Sequence, residues 1–147
     1  HRLVEKFGMT VMATAIAAYL STLVVFVLVD FVWLSTMAGR LYRPILGDVL
    51  APTVNFVPAI GFYLLYPLGI VVFAILPALK SGGVPSALIY GVMFGFFTYA
   101  TYDLTNHATL RNWTWQITLL DIAWGSFIAA LAAVVGSWMA LKIGGTH

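Results

Sequence analysis

Three carboxylic acids in this chain stand where carboxylates are costly. Asp30, Asp103 and Asp121 each lie inside an apolar run, and together they make up three of the five acidic residues; of the seven Lys and Arg residues only Lys142 falls within a run, one residue from its end. An acid held in hydrocarbon costs at least about 2.5–3.5 kcal/mol on insertion scales, so such a residue is read as functional by default. Acids that share a low-dielectric site drive their proton affinities apart, and one can then hold a proton while the other is ionised. Proton transfer needs that arrangement.

Aromatic groups accompany the acids. The pattern Asp-x-x-Trp occurs twice, as Asp30 to Trp33 and as Asp121 to Trp124. Each Trp stands about one helical turn from its Asp, and an indole N–H, a donor only, can bond a carboxylate across a bundle or wall a pocket. The two copies fall on the first and last apolar runs, whereas a two-helix internal repeat would place them on the first and third. Tyr99, Tyr102, Asp103, Asn106 and Leu110 follow i, i+3, i+4, i+7 and i+11, one stripe of a helix. Tyr63 and Tyr66 precede Pro67, which cannot donate to the carbonyl of Tyr63 and so leaves an extra acceptor at that depth.

The elements that must position these groups are four. A bilayer-crossing helix needs about 20 mostly apolar residues. Such runs span about residues 9–36, 55–79, 85–110 and 114–143. Backbone groups in lipid must be satisfied within the segment, and runs that are apolar throughout lack the alternation of a barrel strand. The expected fold is therefore all-α: a polytopic membrane protein whose whole length, 1–147, is one four-helix transmembrane bundle. The N-terminal run is too long for the core of a signal peptide and reads as a retained first helix. The connection around residues 38–52 has room for a short surface helix, whereas Lys80 to Val84 and Arg111 to Trp113 are tight turns that make neighbours antiparallel.

These spans set the depths. Asp30 lies six residues before Thr36, Asp103 seven before Leu110, and Asp121 seven after Thr114. At about 1.5 Å per residue each sits roughly 9–10 Å inside the same face. Facing follows from small residues. Asp121, Gly125, Ala129, Ala133 and Ser137 recur every four residues, Gly91 and Gly95 form a small-xxx-small pair, and Thr22, Phe26 and Asp30 run down one side of the first helix. Rows of this kind let helices approach closely, which turns the acids inward.

Composition agrees. Of 147 residues, 62% are hydrophobic and 8% charged, against about 25% charged in soluble domains. Mean hydropathy is +0.99. Lipid is thus an expected partner. Net charge is +2 with no Lys/Arg cluster, so a nucleic acid is not. The absence of cysteine removes disulfides, thiolate metal sites and thioester chemistry. Phosphate-loop, dinucleotide and nucleophile-elbow signatures are missing, and His1 and His147 are terminal, which leaves no Ser–His pairing. Met9, Met12, Met37, Met93 and Met139 are scattered as packing filler.

At the residues Tyr19 to Trp33, Phe62 to Pro67, Tyr99 to Asn106, Ala108 to Trp113 and Asp121 to Gly125 the chain resembles a bacterial family of small four-helix integral membrane proteins known as a "predicted membrane protein" domain of unknown function. The resemblance covers nearly the whole chain, and Tyr102-Asp-Leu-Thr-Asn106 belongs to its most specific stretch. It implies the fold class and brings no activity and no cofactor.

Four readings of the polar layer follow. The first is a site in one leaflet for a small or lipidic ligand, with chemistry or without. Asp30, Asp103 and Asp121 would be its acid/base or cation-binding groups, Tyr63, Tyr66, Tyr99, Tyr102 and Asn106 its hydrogen-bonding groups, and Trp33 and Trp124 its walls. A divalent metal would need Asp103, His107 and a further Asp, and no pair of His at i, i+4 supports one. The second is a small subunit or assembly factor of a respiratory or photosynthetic complex, with Phe94, Phe96, Phe97 and Trp138 facing partner helices. The third is proton or solute transport by a homo-oligomer, against which stands the lack of Gly-interrupted half-helices. The fourth is structural, with the acids locking the helices together and Arg40, Arg43 and Arg111 reaching down as partners. Basic residues flanking the spans number four on the terminal side (Arg2, Lys6, Lys80, Lys142) and these three arginines opposite, which favours both termini in the cytoplasm of a bacterial inner membrane.

Overall fold

The computed structural model of the protein describes residues 2–144; His1 and His147 lie outside the described residues. The described chain is helical throughout its four spans, with no strand. Helix α1 covers Arg2–Met37 and runs on through a π-helical turn, Ala38–Tyr42, into a short helix α2, Arg43–Leu46. The second span is α3, Phe56–Ile70, followed by a π-helical turn, Val71–Ile75, and α4, Leu76–Lys80. The third and fourth are α5, Val84–Thr109, and α6, Trp115–Gly144. All four spans are long and apolar enough to cross a membrane.

Local chemistry sets the ends. Asn55 caps α3 by accepting the Val57 amide at 3.3 Å. Pro85 stands in the first turn of α5, where its missing N–H costs nothing. The turn before α5 is possible because Gly82 and Gly83 take φ of 115° and 71°, which a side chain would strain. Inside the spans, several hydroxyls are satisfied by their own helix: Thr14 Oγ1 donates to the Thr10 carbonyl at 2.8 Å and Ser21 Oγ to the Ala17 carbonyl at 2.7 Å, whereas the buried Thr22 hydroxyl finds no partner among the described residues.

The helices of the last three spans begin and end within a residue of the apolar runs 55–79, 85–110 and 114–143, whereas the first helix departs from the run 9–36. That helix begins seven residues earlier than Met9 and does not stop at Thr36 but continues to Leu46. The physical cause lies in proline. Pro44 has no N–H for the Arg40 carbonyl, and the helix widens just before it, with the Arg43 amide bonding the Ala38 carbonyl five residues back. The same device recurs at Pro77, where the Leu76 amide reaches the Val71 carbonyl. Each π turn ends two residues before a proline.

Helix α6 is the centre of the bundle. Its row Asp121, Gly125, Ala129, Ala133 and Ser137 is buried throughout. Gly91 and Gly95 of α5 lie against it so closely that a Cβ at Gly91 would stand 2.8 Å from the Ala130 Cα. The buried face of α1 is Ala18, Thr22, Phe26 and Asp30, as the spacing predicts. Helix α3 is held differently. It packs on α1, and its loop-end half stands off from α5, which it meets only further along, at Tyr66 and Gly69 against the Phe94 ring; deeper in the membrane α5 is met closely by the second π turn and α4. A separate cluster of Leu41, Leu46 and Ile117, flanked by Met37, Tyr42, Ile45 and Trp113, fastens α2 over the loop end of the bundle.

Candidate functional site

Because α3 leaves α5 at its loop end, the four helices and α2 enclose a cavity of about 650 Å3. Volumes of roughly 300–1,000 Å3 are typical of small-molecule sites. Nine of the ten residues singled out from the sequence line it: Asp30, Trp33, Tyr63, Tyr66, Tyr99, Tyr102, Asn106, Asp121 and Trp124. Asp103 does not. It is fully buried on the α6 side of its helix, so the single stripe expected from Tyr99 to Leu110 divides, with Asp103 turned away from the cavity wall.

Two acid centres face the cavity. In the first, Asp30 accepts from the Trp124 indole at 3.0 Å on one oxygen and from the Tyr63 hydroxyl at 2.5 Å on the other. In the second, Asp121 accepts from the Tyr42 hydroxyl at 2.6 Å, and that hydroxyl accepts in turn from the Trp33 indole at 3.1 Å. The two indoles stack, 4.4 Å between centroids and 8° between planes.

The repeated Asp-x-x-Trp pattern is therefore crossed. Trp124 serves Asp30, the acid of the other copy, and Trp33 serves Asp121 through Tyr42. Antiparallel packing explains this. Three residues onward from Asp30 leads toward the loop end, and three residues onward from Asp121 leads away from it. Each Trp thus arrives at the level of the opposite Asp.

Behind Asp121 lies Asp103, with its carboxyl against that of Asp121. Neither oxygen of Asp103 receives a hydrogen bond from any described donor. A bare carboxyl in a dry interior is costly, and two carboxyls in contact are satisfied when a proton bridges them.

The remaining side chains of the layer play lesser parts. The Tyr66 hydroxyl lies 2.8 Å from Thr98 Oγ1, which itself donates to the Phe94 carbonyl at 2.8 Å. This link is a side-chain bridge across the gap between α3 and α5. The Tyr99 ring lies directly over Gly125, where any Cβ would collide with it. Tyr102 is the most open of the group, more than half exposed, with its ring edge-on to Trp113 at 6.0 Å. The Tyr63 carbonyl expected to be freed by Pro67 gains no side-chain donor among the described residues; the Tyr19 hydroxyl bonds the next carbonyl, Leu64, at 2.8 Å.

The metal reading finds no support in the donor set. His107 is engaged with Thr118 Oγ1 at 3.1 Å, and Trp113 donates to the same oxygen at 3.0 Å. Among the described residues no three His, Asp or Glu side chains gather to hold an ion. The arginine partners of the structural reading are also misplaced. Arg40, Arg43 and Arg111 are all exposed at the loop end.

Tyr42 is the residue that sequence reasoning missed. It lies between Arg40 and Arg43 in a segment read as a connection. The π turn is what aims its hydroxyl at Asp121. The available signal was Pro44 two residues on, in a stretch still rich in apolar side chains. Leu34, Leu46, Val49, Leu50, Phe62, Thr98, Leu110 and Trp113 complete the wall.

No curated protein and no solved structure matches the chain. A family model does, over residues 15–138, a stretch that takes in every residue of the two acid centres. The chain belongs to the family described as Predicted membrane protein (DUF2177).

Proposed function

We propose that the protein binds a small amphipathic molecule in the cavity between α3 and α5, within one leaflet of the membrane. The observation that carries this reading is the wall itself. It has the volume of a ligand site, is apolar and aromatic over most of its area, and carries two acids whose donors hold them in fixed orientation. A purely structural lock gains little from such a void, because intramembrane hydrogen bonds average only about 0.6 kcal/mol. A ligand accounts for both the space and the polar groups that converge on it.

On this reading the membrane is the bacterial inner membrane, the termini are cytoplasmic, and the cavity lies in the outer leaflet. The test uses 12-bromododecanol, a quencher of indole fluorescence, with the protein in nonionic detergent. Trp33 and Trp124 in the wall should quench saturably, whereas Trp138, exposed on the far end of α6, should follow only bulk partitioning. Quenching of all three with the same unsaturable slope would overturn the proposal.

A further inference from the structure

We infer that the occupant of this cavity is a cationic amphiphile, an ammonium head on a single hydrocarbon chain, with the head between Asp30 and Asp121 and the chain leaving through the gap between α3 and α5. The inference rests on the ligand-binding reading above and names the class of ligand.

The head follows from charge and aromatic content. Two carboxyls face the cavity, and none of its lining residues is Lys, Arg or His. Buried carboxylates without a counter-charge are expensive, and none of the described residues lining this cavity supplies one. The rings of Trp33, Trp124, Tyr63 and Tyr99 stand around the same space. Aromatic faces with a nearby acid are the setting in which ammonium groups are recognised, since the ring quadrupole attracts a cation at little desolvation cost. An anionic head would meet two acids and no donor with positive charge.

The chain follows from continuity. A second cavity, of about 530 Å3, lies on the outer side of α5 between Phe73, Tyr90, Met93, Phe94 and Phe97. It shares Thr98 with the first cavity. Between the two stand the side-chain bridge from Tyr66 to Thr98 and the Phe94 ring, which lies 5.3 Å from the Tyr66 ring. Rotation of the Tyr66 and Phe94 side chains together opens a path from the acids to an apolar groove that already faces lipid. An alkyl chain laid there exchanges one hydrocarbon surface for another, while its head gains the acids.

Displacement of 12-bromododecanol from the wall indoles tests the head, with dodecyltrimethylammonium, dodecanol and dodecanoate as competitors of equal chain length. The ammonium compound should displace the probe at roughly tenfold lower concentration than the alcohol, and the carboxylate should be weakest. Asp30→Asn and Asp121→Asn should each erase the difference between ammonium and alcohol. Equal displacement by all three would overturn the cationic head while leaving the cavity reading intact. A probe that none displaces, with unsaturable quenching, would bring down both.

Tetramethylammonium and Met93→Trp test the chain. The small cation should compete at least tenfold less well than its dodecyl analogue. Met93 is half exposed to lipid, so a larger ring there fills the groove without disturbing the core, and it should shrink that advantage. An advantage that is absent, or unchanged in Met93→Trp, would overturn the exit path. Native mass spectrometry of the unsubstituted protein, counting retained dodecyltrimethylammonium against retained dodecanol, gives the same comparison without any variant.

Discussion

Trp33 of α1 and Trp124 of α6 lie face to face, 4.4 Å apart, and each delivers its N–H to the acid centre built around the other's helix. The stack joins two hydrogen-bonded arms, Tyr63–Asp30–Trp124 and Trp33–Tyr42–Asp121, into one network that touches α1, the first π turn, α3 and α6. Stacked rings add about 0.5–1.5 kcal/mol beyond area burial.

The network predicts coupling. Trp33→Phe and Tyr42→Phe remove the two ends of one bond, so their combined effect on unfolding free energy should fall short of the sum of the single effects by about 0.5–1 kcal/mol. Tyr42→Phe with Ser126→Ala, whose hydroxyl bonds only the Ile122 carbonyl of its own helix, should be additive. Reversible unfolding in mixed micelles measures both cycles, and strict additivity in the first would contradict the connection drawn between Trp33 and Asp121.

Pro44 should matter more than its exposed position suggests. With Pro44→Ala an amide becomes available to the Arg40 carbonyl, and the π turn can relax to α-helix. A relaxed turn would carry Tyr42 about 100° around the helix axis, away from Asp121. The indole emission of Pro44→Ala should therefore shift in the direction seen for Tyr42→Phe. Spectra like those of the unsubstituted protein would show that the turn is held by something other than the proline.

Two glycines should respond in opposite ways. Gly95→Leu places a side chain where α5 meets the Gly125 backbone and Ala129 Cβ, and should cost about 1–3 kcal/mol through overpacking. Gly61→Ala meets open space on α3 and should stabilise by up to about 1 kcal/mol through helix propensity. Denaturation midpoints that move together would mean that α5 and α6 are less closely packed than described.

The lack of native cysteine makes topology simple to read. Asn112→Cys, in the turn before α6, should react with an impermeant maleimide on intact cells, and Ser81→Cys should react only after lysis. The reverse pattern would place the cavity in the cytoplasmic leaflet and leave the site itself unchanged.

Much of this molecule is legible without coordinates, for a physical reason. Hydrocarbon penalises every unsatisfied backbone group, so composition and run length alone dictate four helices, and the small-residue rows on α5 and α6 dictate which faces meet. The same penalty makes Asp30, Asp103 and Asp121 conspicuous. Tertiary structure alone decided the rest. Spacing along one helix cannot tell which Trp reaches which Asp, since that depends on the antiparallel register of α1 against α6. Nor does it show that Asp103 turns behind Asp121, that α3 stands off from α5 and opens the cavity, or that Pro44 winds the helix into a π turn and brings Tyr42 to the acid. These are relations between segments, set by packing over distances that no local pattern records.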